Sequence, residues 1–264
     1  MNAESGHPLL DRTALVRGQD RAASEYARHA RVPDLVAERL LERLDGLKLV
    51  PRRVLDVGCG PGTQARRLAA KFPEADVIAL DLSRVMLRTA GRERGWLRRC
   101  FDRVQADAAA LPIADSSIDL LFCSLALHGC DSLAGALNGF RRVLKPGGLL
   151  LLTHPGLDTW RELRRATEDA GGRFRVGRFV DVQKVGDALV RAGFSEPVLD
   201  TDWIRAGCRH PRALLDELRA TGFGHAGCMQ PHGLATPRQL ERLFEHYPSP
   251  DPDAGGHPVT WEIV

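Results

Sequence analysis

The chain has 264 residues, which fits one large α/β domain or two small ones and suffices to bury a sizeable core without disulfides or metals. Hydrophobic residues make up 44% and charged residues 27%, values of a folded globular protein that exclude extensive disorder. The net charge of +3 is too small to indicate nucleic-acid binding by itself.

Cysteine usage and hydropathy indicate the cellular environment. Six cysteines, at positions 59, 100, 123, 130, 208 and 228, include no Cys-x-x-Cys pair, so we expect neither a bound metal nor a disulfide framework. The N-terminus lacks the apolar core of a signal peptide, and the longest apolar run, near Leu149–Leu152, is far too short to span a membrane. We therefore expect a cytoplasmic protein, a monomer that binds neither membranes nor nucleic acid.

The first half of the chain predicts alternating strands and helices. The first 30 or so residues are polar and basic, and Pro33 then starts a helix with apolar residues at helical spacing. Strands are predicted at 53–57, 76–82, 104–106, 118–124 and 149–153. Helices between them are predicted at 63–72, from the N-cap Ser83 onward, and at 133–144. This alternation is typical of a parallel sheet with helices on both faces.

The second half is less regular. Helices are predicted at 158–170, 182–192, 211–221 and 237–246, with Gly193 as a C-cap and Thr236 as an N-cap, and strands at 197–203 and 258–264. One domain fits better than two, because the last two strands need the same sheet to pair with. We therefore predict a mostly parallel, seven-stranded sheet in one domain (33–264), with an N-terminal arm or lid (1–32). Helical insertions are expected at about 155–180 and 204–258, after the fifth and sixth strands.

A glycine-rich loop follows the first predicted strand. In the segment DVGCGPGT, Gly58, Gly60 and Gly62 let the backbone approach a ligand, and the next helix offers free N–H groups. Thr63 stands where a dinucleotide-binding fingerprint has its last glycine, which disfavours a pyrophosphate-binding dehydrogenase.

Acidic residues end the neighbouring predicted strands. Asp81 closes the second strand, where a carboxylate can accept both hydroxyls of an adenosine ribose. Asp107 and Ala108 follow the third strand, where a carboxylate can receive the exocyclic amine of adenine. Together with Asp56, these residues predict one crevice at the carboxyl edge of the sheet.

These motifs resemble the class I S-adenosylmethionine-dependent methyltransferases, through DVGCGPG, DLS, DAAALP and RRVLKPGGLLLL. Longer stretches over roughly residues 18–264 resemble the malonyl-[acyl-carrier protein] O-methyltransferases of early biotin synthesis. They include QDRAASEYARHARVPDLVAERLLERLD, LALHGCDSLAGALNGF, RFVDVQKVGDALVRAGFSEPVLDTDWI and VTWEIV. The resemblance implies a Rossmann-like class I methyltransferase fold, S-adenosyl-L-methionine as cofactor, S-adenosyl-L-homocysteine as product, and acyl carrier protein carrying malonyl (or malonyl-CoA) as acceptor.

Site residues follow from the resemblance. Asp56, Gly58, Gly60 and Gly62 would surround the methionine part of the cofactor, Asp81 would take the ribose, and Leu82 would lie against adenine. The adenine edge would lie between Asp107 and Ala108, and Cys59 and Ser124 would complete the cofactor site. Tyr26 matches an N-terminal tyrosine that resembles a lid residue of the family and is a candidate catalytic residue.

The acceptor side departs from the family, which usually has Gln-Trp where this chain has His128-Gly129. A malonyl carboxylate is already ionised at pH 7, so methyl transfer needs alignment and exclusion of water but no strong base. His128 is the candidate for orienting the acceptor, with His154 a weaker one.

Two arginine clusters are candidates for docking an acidic carrier protein. The first comprises Arg92, Arg94, Arg98, Arg99 and Arg103, and the second Arg161, Arg164, Arg165, Arg173, Arg175 and Arg178. The second is favoured because its insertion should border the active site. Other readings remain open: methylation of a small molecule such as a quinone precursor, methylation of a protein arginine, or a degenerate paralogue that binds a partner without catalysis.

Overall fold

Strands and helices alternate through residues 53–153 of the computed structural model, which describes residues 12–91, 100–171, 174–177, 179–223, 229–231 and 236–264. In these ranges the α-helices are α1 (Arg12–Ala22), α2 (Tyr26–His29), α3 (Arg31–Glu42), α4 (Thr63–Lys71), α5 (Arg84–Ala90), α6 (Leu133–Val143), α7 (Arg161–Asp169), α8 (Val182–Arg191), α9 (Pro211–Ala220) and α10 (Pro237–Glu245). The strands are β1 (Arg53–Val57), β2 (Asp76–Asp81), β3 (Asp102–Gln105), β4 (Ile118–Ser124), β5 (Leu144–Thr153), β6 (Phe174–Val176), β7 (Asp202–Cys208), β8 (Met229–Pro231) and β9 (His257–Ile263).

The central sheet has five parallel strands in the order β3-β2-β1-β4-β5. Strand order reverses between β1 and β4, because the chain builds outward to β3 and then returns to the other side of β1. In open α/β sheets a crevice forms at such a reversal, outside the carboxyl ends of the strands. The fold therefore directs a ligand toward the ends of β1 and β4.

Side chains that alternate along β4 fill the layers on the two faces of the sheet. Leu121 is buried in one cluster with Phe140 of α6, while Leu120 and Phe122 are buried in another with Leu68 of α4. This period of two, with both sets fully buried, is what a parallel strand covered on both faces requires. The predicted α/β class is confirmed.

The predicted helices of this half, and most of those in the second half, occur within a residue or two of their expected ends. Ser83 caps α5, since its side chain accepts a hydrogen bond from the Met86 backbone. Thr236 caps α10 in a reciprocal capping box with Gln239, as the N-cap prediction requires.

The predicted seven-stranded sheet is wrong in its strand count. β7 and β9 pair with each other in antiparallel fashion and form a separate two-stranded sheet. Its link to β5 is at the carboxyl end, where the His154 and Val264 backbones exchange two hydrogen bonds of 2.9 Å. The last strands therefore extend from the end of β5 and do not lie along it.

The sixth predicted strand is also displaced, from 197–203 to Asp202–Cys208. Pro197 cannot donate to a sheet, and Val198 is 96% exposed, whereas Ile204 is buried opposite Trp261. The expected insertion at 204–258 is thus wrong at its start, because residue 204 lies within β7. The short antiparallel pair β6–β8 was not predicted, since three-residue strands carry no usable periodicity. The division into an arm and a domain stays a prediction.

Residues 12–32, here called the arm, pack against the helices around the sheet through α1. This helix contacts α5 and α9, with Leu15 and Ala22 buried on its inner side. Ala22, Ala23 and Met86 of α5 form a small apolar cluster with Tyr26 against it. The arm therefore covers the carboxyl edge of the sheet.

A buried carboxylate ties α7 to β9. The side chain of Glu162 is 8% exposed and accepts hydrogen bonds from the backbone N–H and the hydroxyl of Thr260, at 3.0 and 2.5 Å. Replacing Glu162 with Ala leaves two buried donors unpaired, so we expect the free energy of unfolding to fall by about 2–3 kcal/mol.

Urea denaturation checks this prediction, with Glu168→Ala, at an exposed position of the same helix, as the control. A loss no larger than that of Glu168→Ala would contradict it.

Candidate functional site

The turn after β1 is built from three glycines with positive φ: Gly58 at 73°, Gly60 at 51° and Gly62 at 79°. The N–H groups of Gly58 and Cys59 both donate to the Leu80 carbonyl of β2, at 2.8 and 3.0 Å. A Cβ on Gly58 would lie 2.2 Å from the Cβ of Ala126. Glycine is therefore required at position 58 both by conformation and by close approach to the loop after β4.

Asp56 lies beneath this turn with 2% exposure. Its Oδ2 atom has no hydrogen-bond partner among the described residues, although the Ala65 backbone lies close enough to hydrogen bond to the carboxylate. Burial raises the pKa of Asp56 to about 8, and the nearby Asp81 carboxylate adds to the shift. A cationic donor would satisfy this atom and lower that pKa.

Asp81 ends β2 and accepts two backbone hydrogen bonds, from Gly60 N to Oδ2 at 2.9 Å and from Ser83 N to Oδ1 at 2.7 Å. Burial nevertheless raises its pKa to about 6, because desolvation outweighs these bonds. The Leu82 backbone N–H also lies close enough to bond this carboxylate, which has four lone-pair directions in all, so at least one remains for a ligand hydroxyl. The Ser83 hydroxyl in turn donates to Asp20 of α1 at 2.5 Å.

Asp107 lies after β3 and contacts both its own loop and the arm. Its Oδ1 accepts from the Ala109 N–H at 2.8 Å, and its Oδ2 forms an ion pair with Arg12 of α1. Leu82 and Ala108 line the same part of the crevice. The arm thus engages the loops that follow β2 and β3.

The crevice at the ends of the strands consists of two chambers, of roughly 100 and 40 Å³. Tyr26, Gly58 and Ser124 line both, so they form the wall between them. The larger chamber is lined by Gly60, Asp81, Leu82, Asp107, Ala108 and His128 among others, and the smaller by Asp56 and Cys59. Gly62 lines neither and serves as the N-cap of α4. Burial and the carboxylates Asp34, Asp81 and Asp56 raise the pKa of the Tyr26 phenol, which keeps it neutral.

His128 sits in the short turn after β4, which starts with Leu125 in the left-handed region at φ 49°. Its ring stacks on Phe223, with centroids 4.3 Å apart and planes at 11°. Burial lowers its pKa to about 3, helped by His154, and its Nδ1 has no partner among the described residues. His128 is therefore a neutral polar group that faces the larger chamber.

His154 lines neither chamber. It is buried at the end of β5, its Nδ1 lies 2.8 Å from the Pro155 carbonyl, and burial lowers its pKa to about 4. The structure thus brings together every other predicted side chain of the crevice and leaves His154 behind it.

Two parts of the lining of the larger chamber were not predicted from the sequence. Leu15 and Gln19 of α1 cover it from one side, and Thr221, Gly222 and Phe223 at the end of α9 from another. A Cβ on Gly222 would lie 3.4 Å from Gln19 Cγ, so the two parts touch. No local motif marks them. Only the amphipathic pattern of 12–22 could have indicated that this segment packs.

The comparisons with known proteins agree with this geometry. A family model described as a methyltransferase domain matches residues 55–152. A malonyl-[acyl-carrier protein] O-methyltransferase from Methylovorus sp. (strain MP688) is 39% identical over 261 residues, 97% of this chain and 88% of that protein. One from Gallionella capsiferriformans (strain ES-2) is 37% identical over 261 residues, 97% and 90% of the two chains. The chain belongs to the malonyl-[acyl-carrier protein] O-methyltransferase family.

The fold is also similar to that of a solved structure. Phosphoethanolamine N-methyltransferase 2 from Haemonchus contortus, in complex with S-adenosyl-L-methionine, matches with a TM-score of 0.52 and 19% identity, over 86% of this chain and 50% of that one. At this identity the likeness concerns the fold alone. Members of the malonyl-[acyl-carrier protein] O-methyltransferase family belong to the class I methyltransferases, and this chain has the Rossmann-like fold predicted for it.

The arginines expected to dock a carrier protein do not border the crevice where they are described. Arg161 pairs with Asp158 and Glu162, and Arg164 donates to the carbonyls of Leu157 and Thr159. Neither they nor Arg165 lines a chamber, so the expectation that this insertion borders the site is wrong for them. Arg103 of the first cluster donates to the Leu87 carbonyl at 2.8 Å. Outside the described residues lie Arg92, Arg94, Arg98, Arg99, Arg173 and Arg178, together with the side chain of Arg175.

Within the described ranges, no helix combines the length and the apolar character needed to cross a lipid bilayer.

The raised pKa of Asp56 predicts how stability depends on pH. Between about pH 4 and 8 the folded protein holds a proton that the unfolded chain has lost, so the free energy of unfolding falls as pH rises. His128 and His154, with lowered pKa values, act in the opposite direction but only below about pH 7. Asp81 titrates at about 6, so Asp56 makes the largest contribution between pH 7 and 8. Burial also raises the pKa of the buried thiols, which add a smaller fall in stability that all variants share.

We expect the ligand-free protein to lose about 1 kcal/mol of stability from pH 7 to 8 and Asp56→Asn to lose much less. Chemical denaturation at both pH values measures this, with Asp76→Asn, at an exposed position of β2, as the control. Equal pH dependence in all three proteins would exclude a raised pKa at Asp56.

Proposed function

We propose that this protein transfers the methyl group of S-adenosyl-L-methionine to the free carboxylate of a malonyl thioester on acyl carrier protein. The product, a malonyl methyl ester, would serve as an acyl primer in biotin synthesis, because esterification hides the charged end of the chain. Identity of 39% over 97% of the chain to a protein with this name carries the proposal. The chemistry of the crevice supports it.

The crevice fits the cofactor. Asp56 supplies a buried carboxylate oxygen that has no partner in the described ranges, and an ammonium such as that of a methionine moiety would match it. Gly60 lines the larger chamber, and a Cβ there would project into open space, so glycine at this position leaves that space free. Pairing with a cation would also offset the desolvation that raises the pKa of Asp56.

The adenosine end would use the next two strand ends. Asp81 offers a remaining lone-pair direction of its carboxylate to a ribose hydroxyl. Leu82 and Ala108 provide apolar walls for the adenine ring, and Asp107 provides an acceptor beside them. Arg12 pairs with Asp107, so the arm would hold this acceptor in place.

The cofactor, when bound, supplies an activated methyl group on a sulfonium. The protein's task is to hold an acceptor oxygen in line with that group and keep water away. Tyr26, in the wall between the two chambers, and the stacked pair of His128 and Phe223 close the crevice around the reacting atoms.

The protonation states of the site suit a carboxylate nucleophile. A malonyl carboxylate has no proton to lose at pH 7, so no general base is required. His128, whose pKa of about 3 keeps it neutral, can orient the acceptor by hydrogen bonding without placing a cation beside it. A cation would stabilise the charge that the carboxylate must give up on reaction and so would slow the transfer.

The cofactor assignment predicts that Asp81→Ala weakens binding of S-adenosyl-L-homocysteine by about 1–3 kcal/mol, the cost of losing a charged hydrogen-bond acceptor. Titration calorimetry measures the affinity, and Asp76→Ala, at the exposed start of the same strand, should bind as the wild type does. Equal affinities for all three proteins would remove Asp81 from the ribose role.

The acceptor assignment predicts methylation of a malonyl thioester and none of an acetyl thioester, since only the former has a free carboxylate. Because neither the acceptor nor His128 titrates there, the rate of the chemical step should stay nearly flat from about pH 6.5 to 8.5. Product mass spectrometry identifies the methylated atom. A methyl group on some other acceptor, with malonyl thioester untouched, would favour a small-molecule or protein methyltransferase.

In the same assay, His128→Ala should lower the rate by about 10–100-fold through lost orientation. His128→Asn, which keeps a polar atom close to the position of Nδ1, should recover part of that loss. Full activity of His128→Ala would show that the imidazole does not position the acceptor.

A further inference from the structure

The outer faces of α1 and α5 carry four exposed arginines: Arg17, Arg21, Arg84 and Arg88, here called the arginine face. The members of each pair are four residues apart, so they project from one side of their helix. The two helices pack against each other. The four charges therefore lie on adjoining parts of one surface.

Within the part of the chain that the structure describes, other side chains do not neutralise these charges. None of the four guanidinium groups forms an ion pair or a side-chain hydrogen bond within the described ranges. The one acidic residue on the two helices, Asp20, accepts a hydrogen bond from Ser83 at their junction. Elsewhere, by contrast, Arg39 and Arg43 of α3 are paired with Asp202 and Asp200.

The arginine face lies directly over the crevice. The inner sides of the same two helices contribute Leu15, Gln19 and Met86 to the larger chamber. An α-helix with its side chains is roughly 10 Å thick, so a partner bound to the outer face is held about one helix diameter from the cavity.

We propose that acyl carrier protein docks by an acidic surface on the arginine face and delivers its malonyl arm over the edge of α1 into the larger chamber. This rests on the proposed function. Arginine suits the task because its planar fork pairs with two carboxylate oxygens at once. This docking surface differs from the one expected at α7, where Arg161 and Arg164 already form ion pairs and hydrogen bonds within the protein.

Steady-state kinetics with two malonyl donors tests the proposal: the carrier-bound thioester and a malonyl thioester of pantetheine. We expect Arg17→Glu/Arg21→Glu and Arg84→Glu/Arg88→Glu each to raise KM for the carrier-bound donor at least about tenfold, since steering and pairing are both lost. The kcat, the affinity for S-adenosyl-L-homocysteine and the kinetics with the pantetheine thioester should stay unchanged.

The matched control is Arg165→Glu/Arg191→Glu, which makes the same change in net charge at exposed positions of α7 and α8. It should leave the carrier KM within about twofold of the wild type, because exposed charges beyond a Debye length are screened. Added salt should raise the carrier KM of the wild type more than that of the arginine-face variants. Reversal of acidic residues on the carrier should restore part of the activity of those variants.

A carrier KM that is unchanged by the arginine-face reversals, or raised equally by the control, would overturn the docking site while leaving the methyltransferase activity in place. Loss of binding to vesicles of anionic phospholipid, without a change in carrier KM, would assign the face to a membrane surface instead. Failure of the wild type to methylate either malonyl thioester would overturn the proposed function, and the docking site with it.

Discussion

Two hydrogen bonds to a single carbonyl organise the crevice. The N–H groups of Gly58 and Cys59 both donate to Leu80, which fastens the turn after β1 to the end of β2. The Gly60 N–H then donates to Asp81, the residue next to Leu80, and Gly62 is the N-cap of α4. Any side chain at position 58 would collide with Ala126 and separate the turn from the loop after β4. These hydrogen bonds connect the ends of β1 and β2, where the carboxylates of Asp56 and Asp81 lie.

The arm closes the crevice by touching the loops that follow three strands and the end of α9. Arg12 pairs with Asp107 after β3, Asp20 accepts from Ser83 after β2, Leu15 lies against Gly129 after β4, and Gln19 lies against Gly222. The arm, which is distant in sequence from most of these strands, therefore covers their carboxyl ends. Four separate contacts therefore hold the arm over the strand ends, so the loss of one leaves three in place.

Sequence reasoning succeeded where the determinants are local. The glycine turn and the Ser83 cap each depend on residues a few positions apart, and each acidic residue lies at the end of its own predicted strand. It failed where the determinants are distant. Phe223 stacks on His128, almost a hundred residues away in the sequence, and no local sequence pattern predicts that contact.

The errors in the second half have physical causes too. Val198 suits a strand by composition, but Pro197 precedes it and its side chain is almost fully exposed, so the strand forms later, where Ile204 can be buried. Arg164 belongs to a basic cluster in the sequence, yet its guanidinium donates hydrogen bonds to two backbone carbonyls. The composition gives the number of charged residues, but it does not show which of them form hydrogen bonds or ion pairs within the protein.

The position of Asp56 affects how the reaction product leaves the site. In the proposed arrangement it contacts the ammonium of the methionine moiety, a group that the reaction leaves unchanged. Its contribution is then equal before and after methyl transfer, which strengthens affinity without lowering the barrier. The demethylated product would be held by the same carboxylate as firmly as the substrate, so S-adenosyl-L-homocysteine would compete for the crevice. An enzyme built this way depends on the removal of its own by-product to keep working.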